Sequence, residues 1–132
     1  MTILPRETDV VISGGGPVGL TLANLLGQAQ IKVIVLEKND SPFDIPRAIT
    51  LDDEGCRTIQ AAALDKQFLF STVRGKGARY YGEENRPFAE VGPGPVEFGF
   101  PKPTHFFQPN LDKILVDGLN RYRQEKTFLG IS

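Results

Sequence analysis

The stretch Asp9–Lys38, DVVISGGGPVGLTLANLLGQAQIKVIVLEK, contains the strongest structural signal in the chain. It opens with a short apolar run at 10–12, which is typical of a buried parallel strand. Three glycines and a proline follow, and then apolar residues spaced as on one broad side of a helix. A second apolar run at 33–36 ends on Glu37. This order predicts a parallel βαβ unit over residues 9–37. Its helix should end near 27–30, with Gln30 in the turn where glycine would be usual.

The glycine spacing matches the fingerprint of a dinucleotide-binding turn. Gly14 would allow the tight turn out of the first strand, Gly16 would let a pyrophosphate approach the backbone, and Gly19 would let the helix pack on the strand. The helix N-terminus would offer N–H groups and a partial positive charge to that pyrophosphate. Glu37, 18 residues after Gly19, would accept hydrogen bonds from ribose hydroxyls and repel a 2′-phosphate. The alternative is a glycine-rich turn that binds nothing.

Composition narrows the class of protein. The 132 residues are enough for one domain, and 15 basic residues balance 16 acidic ones, so neither a nucleic-acid partner nor an anionic membrane partner is expected. No apolar run is long enough to span a membrane, and residues 1–8 lack the apolar core of a signal peptide. Cys56 is the single cysteine, so no intrachain disulfide is expected. These features favour a cytoplasmic protein, and no metal site is predicted.

The middle of the chain predicts one more helix. Residues 48–51 are read as a short extended piece after a polar loop at 39–47. Asp52 or Asp53 would cap a helix that continues to about Leu64. Its apolar positions recur at helical spacing, and they are Cys56, Ile59, Ala62 and Ala63.

The sequence pattern after this helix is typical of β-strands. Residues 71–91 predict a β-hairpin with a turn at 82–85, and the proline- and glycine-rich stretch 92–103 predicts an irregular connection. Asn110 is a good N-cap for a final helix. The apolar face of that helix would comprise Leu111, Ile114, Leu115, Leu119 and Tyr122. Residues 127–131 are the candidate for a third parallel strand.

Several segments, taken in order, resemble a known family. They are GGGPVGL at 14–20, LEK at 36–38, PRA at 46–48, DDE at 52–54 and FFQPNLDKIL at 106–115. Together they resemble the N-terminal part of FAD-dependent aromatic hydroxylases, the single-component flavoprotein monooxygenases with the p-hydroxybenzoate hydroxylase fold. The phenol and 3-(3-hydroxyphenyl)propionate hydroxylases are the most similar branch. The resemblance covers residues 9 to about 123.

The resemblance implies FAD as the cofactor, NAD(P)H as co-substrate and a small aromatic, phenolic substrate in the complete enzyme. It places Arg47 beside the FAD, where its guanidinium would bond ribose or phosphate oxygens, and it lets Gln108 reach the cofactor from the last helix. The alternatives are that Arg47 is a solvated loop arginine and that Gln108 only caps or braces a turn. His105 is interpreted as structural, and no catalytic acid or base is assigned. The implied cofactor-binding residues are Gly14, Gly15, Gly16, Pro17, Val18, Gly19, Glu37, Lys38, Arg47 and Gln108.

The expected fold is α/β: a Rossmann-like FAD-binding βαβ unit with parallel strands, plus a small antiparallel hairpin segment. Residues 1–132 would form part of an N-terminal FAD-binding domain, with a β-rich insertion at 71–108. Because such hydroxylases run to several hundred residues, this unit is incomplete relative to the family fold, and we expect it to form a homo-oligomer or to associate with the rest of that fold. Two other readings stay open: a truncated, non-catalytic module, and an NAD-binding oxidoreductase domain.

Overall fold

The computed structural model describes residues 5–40, 46–96 and 99–122, together with the backbone of 125–128. Of the helices in these ranges, none combines the length and the apolar character that a bilayer crossing requires. The elements in chain order are β1 (Val10–Ser13), α1 (Pro17–Gln28), β2 (Val33–Leu36), β3 (Thr50–Leu51), α2 (Asp53–Ala61), α3 (Asp65–Phe70), β4 (Val73–Arg74), β5 (Ala78–Tyr81), β6 (Pro87–Val91), β7 (Thr104–His105), α4 (Gln108–Leu119) and β8 (Glu125–Phe128).

The main sheet has three parallel strands in the order β1-β2-β8. Val10 of β1 pairs with Val33 of β2, and Val33 pairs in turn with Glu125 of β8. The middle strand, β2, is buried over its first three residues, as expected for a parallel strand covered on both faces. The predicted βαβ unit and third parallel strand are therefore confirmed. The third strand begins at Glu125 rather than 127, and residues 129–131 lie outside the described part of the chain.

Helix α1 connects β1 to β2 and packs through Leu20 and Ala23, both of which are buried. It ends at Gln28, within the range that the sequence indicated. Gln30 then adopts a left-handed backbone with φ of 59°. Glycine is the usual residue in that conformation, which costs other residues roughly 1 kcal/mol. The prediction that Gln30 forms the turn is confirmed.

Helix α2 begins where predicted but ends earlier. Asp52 is its N-cap, and the Asp52 side chain accepts a hydrogen bond from the backbone N–H of Gly55 at 2.8 Å. The helix ends at Ala61 instead of continuing to about Leu64, because Ala63 has a φ of 55° that a right-handed helix cannot include. Ala63 is exposed, so its predicted place on the apolar face is wrong, and the short helix α3 that follows was not predicted. The other predicted apolar positions are buried: Cys56, Ile59 and Ala62.

The hairpin predicted over 71–91 is present but shorter. Strands β5 and β6 pair in antiparallel fashion around a turn in which Asn85 has a φ of 55°. Residues 73–74 belong instead to a second sheet with the order β3-β7-β4. Gly77, with a φ of 103°, separates the two sheets, and a Cβ on it would lie 2.0 Å from the carbonyl oxygen of Val91. Glycine at this position therefore ends the pairing of β4 with β7 and permits the pairing of β5 with β6.

Helix α4 begins at Gln108, with Phe107 as its N-cap, so the predicted N-cap at Asn110 is wrong. Pro109 lies in the first turn, where its fixed φ suits the helix and its missing N–H costs nothing. Asn110 is therefore already inside the helix, and its N–H donates to the carbonyl of Phe107 at 3.0 Å. The predicted apolar face is confirmed at its leucines, which are buried in the core: Leu111, Leu115 and Leu119. Ile114 is partly buried against this core, whereas Tyr122 lies beyond the end of the helix at Leu119, so its predicted place on the face is wrong.

A polar cluster around the buried Asn24 joins α1, the end of α2 and the segment that follows α4. Asn24 is fully buried, and its Nδ2 donates to the carbonyl oxygens of Leu20 and Leu115 at 2.8 and 2.9 Å. Arg121 donates to Asn24 Oδ1 and to the carbonyl of Ala62, each at 2.9 Å. These bonds satisfy polar groups that would otherwise be costly to bury. They hold α1 against α4, and this arrangement in turn positions the start of α1 described next.

Candidate dinucleotide-binding site

The turn between β1 and α1 requires glycine for two separate reasons. Gly14 has a φ of 112°, and its N–H donates to the carbonyl of Leu36 at 2.8 Å, so the turn is tied to β2. A Cβ on Gly14 would meet nothing within 4 Å, so the backbone conformation alone demands glycine there. At Gly19 the reason is space, because a Cβ would lie 2.1 Å from the carbonyl oxygen of Gly14 and 3.1 Å from Ile12 Cγ2. The predicted structural roles of Gly14 and Gly19 are confirmed.

Gly16 is the N-cap of α1, with φ of −82° and ψ of −178°. A Cβ built on it meets nothing within 4 Å, so the space beside the start of the helix is open. Pro17 occupies the first turn, and no N-cap side chain accepts a hydrogen bond from the helix. The helix therefore presents its N-terminal dipole, and the N–H groups of Val18 and Gly19, without a side-chain cap. This arrangement suits an anionic group.

Glu37 lies at the carboxyl end of β2 and contacts the glycine turn directly. Its Oε2 accepts from the N–H of Gly15 at 2.7 Å, and its Oε1 accepts from the backbone N–H and the Nδ2 of Asn39 at 2.9 and 2.6 Å. The N–H groups of Asn39 and Gly15 lower the pKa of Glu37, so the carboxylate is ionised at neutral pH. The backbone N–H of Lys38 lowers the pKa of Glu37 as well, so the carboxylate is held from several sides by the turn and by the residues that follow it.

Gly15 makes this contact possible. A Cβ on Gly15 would lie 3.0 Å from Glu37 Cβ, tighter than an ordinary contact. The glycine turn and the acid are thus packed together rather than merely close in sequence. Asn39, which the sequence did not single out, orients Glu37 from the other side, and a loop asparagine gives no pattern by which it could have been found.

The second part of the candidate site joins Arg47 to Gln108. The Gln108 Oε1 accepts from the backbone N–H groups of Arg47 and Ala48 at 2.9 and 3.0 Å. Its Nε2 approaches Asp112 Oδ2 at 3.4 Å, and Gln108 is only 3% exposed. Most of the hydrogen-bonding capacity of the Gln108 amide is therefore used inside the protein. Lys38 and Arg47 are exposed.

An apolar groove of about 360 Å³ lies between α1 and α2, and Glu37, Arg47 and Gln108 are not among the residues that line it. The first turn of α1 lines it through Pro17 and Val18, and the first turn of α4 lines it through Leu111. Leu51, three residues after Ala48, lies on the same groove. The start of α1 and the start of α4 therefore face a shared surface. His105 is set apart from this groove in β7, where its Nδ1 lies 2.9 Å from Thr50 Oγ1.

Comparison with families and curated proteins agrees with this geometry. The family model described as FAD binding domain matches residues 7–127. The 3-(3-hydroxy-phenyl)propionate/3-hydroxycinnamic acid hydroxylase of Comamonas testosteroni is 44% identical over 124 residues, which cover 94% of this chain and 21% of that protein. Its counterpart from Mycolicibacterium smegmatis is 40% identical over 126 residues, covering 96% and 22%. The chain thus spans about a fifth of the length of these relatives.

Solved structures share the fold. The p-nitrophenol 4-monooxygenase PnpA from Pseudomonas putida DLL-E4 superposes with a TM-score of 0.80 at 22% identity, covering 91% of this chain and 31% of that one. The flavin-dependent monooxygenase PieE, solved with FAD and substrate, superposes with a TM-score of 0.78 at 19% identity, covering 96% and 24%. The resemblance and the α/β fold class expected from the sequence are confirmed. Since the family model spans most of its residues, the chain belongs to the FAD binding domain family.

Proposed function

We propose that the chain is the FAD-binding part of a flavin-dependent monooxygenase that hydroxylates a phenolic substrate with NAD(P)H and O₂. The observation that carries this proposal is the direct contact between the glycine turn and Glu37, through the 2.7 Å bond from the Gly15 N–H. The sequence similarity to hydroxyphenylpropionate hydroxylases supports the substrate class. When bound, FAD would supply the redox chemistry, and the protein would supply binding and orientation.

Each residue of the candidate site then has a separate task. The open N-terminus of α1, with Gly16 and Pro17, would hold the pyrophosphate. Glu37 would accept a hydrogen bond from a ribose hydroxyl. Arg47 would bond ribose or phosphate oxygens from the segment that Gln108 holds in place. Gly14, Gly15 and Gly19 shape the turn. Val18 and Lys38 would line the cofactor.

Titration of the apoprotein with FAD, followed by flavin fluorescence, tests this proposal. We expect FAD to bind and ADP to compete with it, because the glycine turn and Glu37 would hold the adenosine diphosphate half. Glu37→Ala should weaken FAD binding by about 1–3 kcal/mol, the range for a lost charge-assisted hydrogen bond. Glu83→Ala, which removes an exposed carboxylate in the hairpin turn, is the matched control and should change nothing.

Three results would contradict parts of this assignment. Equal FAD affinities for the parent chain and Glu37→Ala would remove Glu37 from the site. Saturable binding of NADH without binding of FAD would favour an NAD-binding domain, since Glu37 suits either ribose. Binding of neither ligand by a chain that keeps its far-UV circular dichroism would favour a non-catalytic module.

We also propose that the isolated chain associates, either with itself or with a polypeptide that supplies more of the fold. Strand β1 has a neighbour on one side only among the described strands, and every residue of β5 and β6 is exposed. The hairpin displays apolar side chains, with Phe88 at 72% exposure. An open strand edge and an exposed apolar surface both favour association.

Light scattering after size exclusion at low micromolar concentration should therefore give a mass above that of the monomer. Val11→Lys places a charge on the edge strand and Phe88→Lys places one on the hairpin, so the two variants separate the two surfaces. The variant on the associating surface should shift the mass toward the monomer. A monomeric parent chain that unfolds cooperatively would show that no association is needed.

A further inference from the structure

Asp112 is a buried carboxylate within FFQPNLDKIL at 106–115, and the sequence assigns it no role. It lies on α4, one turn after Gln108, and is 4% exposed. Its Oδ2 is 3.4 Å from Gln108 Nε2, and within the described ranges no hydrogen-bond donor reaches its Oδ1. Burial raises the pKa of Asp112, and this effect is opposed by the Gln108 bond and by the positive charge of Arg47. A half-satisfied carboxylate in a core is costly, so stability alone does not account for it.

The Gln108 amide connects this carboxylate to the segment that carries Arg47. Its Oε1 accepts from the N–H groups of both Arg47 and Ala48, so the amide oxygen must point toward that segment. Its Nε2 must then point toward Asp112. An ionised carboxylate only accepts hydrogen bonds, so it favours this orientation of the amide. A rotation of the amide by half a turn would set the NH₂ group against two donors and its oxygen against the carboxylate.

We propose that Asp112 is a positioning residue for cofactor binding, because through Gln108 it holds the Arg47–Ala48 backbone and so sets where the Arg47 guanidinium meets FAD. This inference rests on the proposed function. Asp112 acts through its contact with the Gln108 amide, and its carboxylate also attracts the Arg47 guanidinium. Gln108 in turn acts mainly as a brace, since its oxygen is already used twice by backbone donors.

Amide hydrogen exchange tests, without any cofactor, whether Asp112 and Gln108 hold the backbone of residues 47–48. In the apoprotein, Asp112→Ala should speed exchange of the Arg47 and Ala48 amides about tenfold, because Gln108 loses the acceptor that orients it. Asp112→Asn keeps an acceptor of the same shape, so it should change these rates less than about twofold. Asp117→Ala removes an exposed carboxylate from the same helix and serves as the matched control. Unchanged Arg47 and Ala48 rates in Asp112→Ala would overturn the inference.

A double-mutant cycle on FAD affinity tests the connection to the cofactor. Asp112→Ala should raise the Kd for FAD about tenfold in the parent chain and less than about twofold in the Gln108→Ala background. An equal effect in both backgrounds would show that Asp112 does not act through Gln108. A parent chain that binds no FAD would instead overturn the proposed function and the cofactor part of this inference, while the exchange rates would still decide whether Asp112 holds the 47–48 segment.

Discussion

Replacing Gly19 with alanine is expected to lower the free energy of unfolding by about 3–5 kcal/mol, a large share of the stability of a small domain. The new Cβ would lie 2.1 Å from the carbonyl oxygen of Gly14 and 3.1 Å from Ile12 Cγ2. A backbone carbonyl in a strained turn cannot move away as a flexible side chain would, so α1 must separate from β1. Denaturant titration followed by far-UV circular dichroism measures the loss.

Gly16→Ala is the matched control for this prediction, because the same methyl group would meet nothing within 4 Å there. We expect a change of no more than about 1 kcal/mol, the usual difference between glycine and alanine at an N-cap. Similar losses at Gly16 and Gly19 would mean that the contact with Gly14 does not limit substitution. A stable Gly19→Ala chain would contradict the packing that the structure shows between α1 and β1.

Replacing Gly16 with valine is expected to weaken FAD binding at least about 100-fold while the fold survives. The backbone of Gly16 is in the extended region, with φ of −82° and ψ of −178°, which valine adopts readily. The side chain would instead occupy the open space at the start of α1, where a pyrophosphate would approach the N–H groups of the first turn. FAD titration of the purified apoprotein gives the affinity, and far-UV circular dichroism verifies the fold.

Gly92→Val is a suitable control for this second prediction. A Cβ on Gly92 also meets nothing within 4 Å, but Gly92 lies after β6 and outside the glycine turn. This variant should bind FAD as the parent chain does. If Gly16→Val retains full affinity, the pyrophosphate does not lie on this turn, and the proposed placement of FAD would have to be abandoned.

Gly19→Ala is expected to lose stability, whereas Gly16→Val is expected to lose FAD affinity. This difference follows from three-dimensional geometry that the spacing of the glycines does not show. The fingerprint already implies a separate role for each glycine: Gly14 for the turn, Gly16 for the approach of the pyrophosphate and Gly19 for packing of the helix. It does not show which of these positions can accept a side chain without disturbing the fold. The structure separates the reasons, since Gly14 requires its φ of 112°, Gly19 requires space, and Gly16 requires neither. Only at Gly16 can a side chain test the ligand without first disturbing the fold.

Local patterns were sufficient for the elements whose partners are near in sequence. The apolar runs of β1 and β2 and the helix between them follow from periodicity and glycine placement. Asp52 is a correct N-cap because its hydrogen bond goes to Gly55, three residues away. The hairpin turn is correct for the same reason, since Gly82 and Asn85 bond to each other across it.

Tertiary contacts decided the rest. Helix α4 begins at Gln108 rather than Asn110, and the Gln108 side chain bonds to backbone 61 positions earlier, at Arg47. Asn24 and Arg121, which are 97 positions apart, are joined by a hydrogen bond that no helical spacing indicates. In the same way, residues 73–74 pair with β7 instead of extending the hairpin.

The sequence by itself therefore determined the βαβ unit, its glycine turn and the acid that follows, because their bonds connect neighbours or obey a strict period. Only the tertiary structure decided how Glu37 contacts Gly15, how Gln108 holds the Arg47 segment, and why Asp112 is buried behind it. Such contacts depend on which distant backbone groups still need a hydrogen-bond partner once the helices have packed, and a linear pattern carries no record of that.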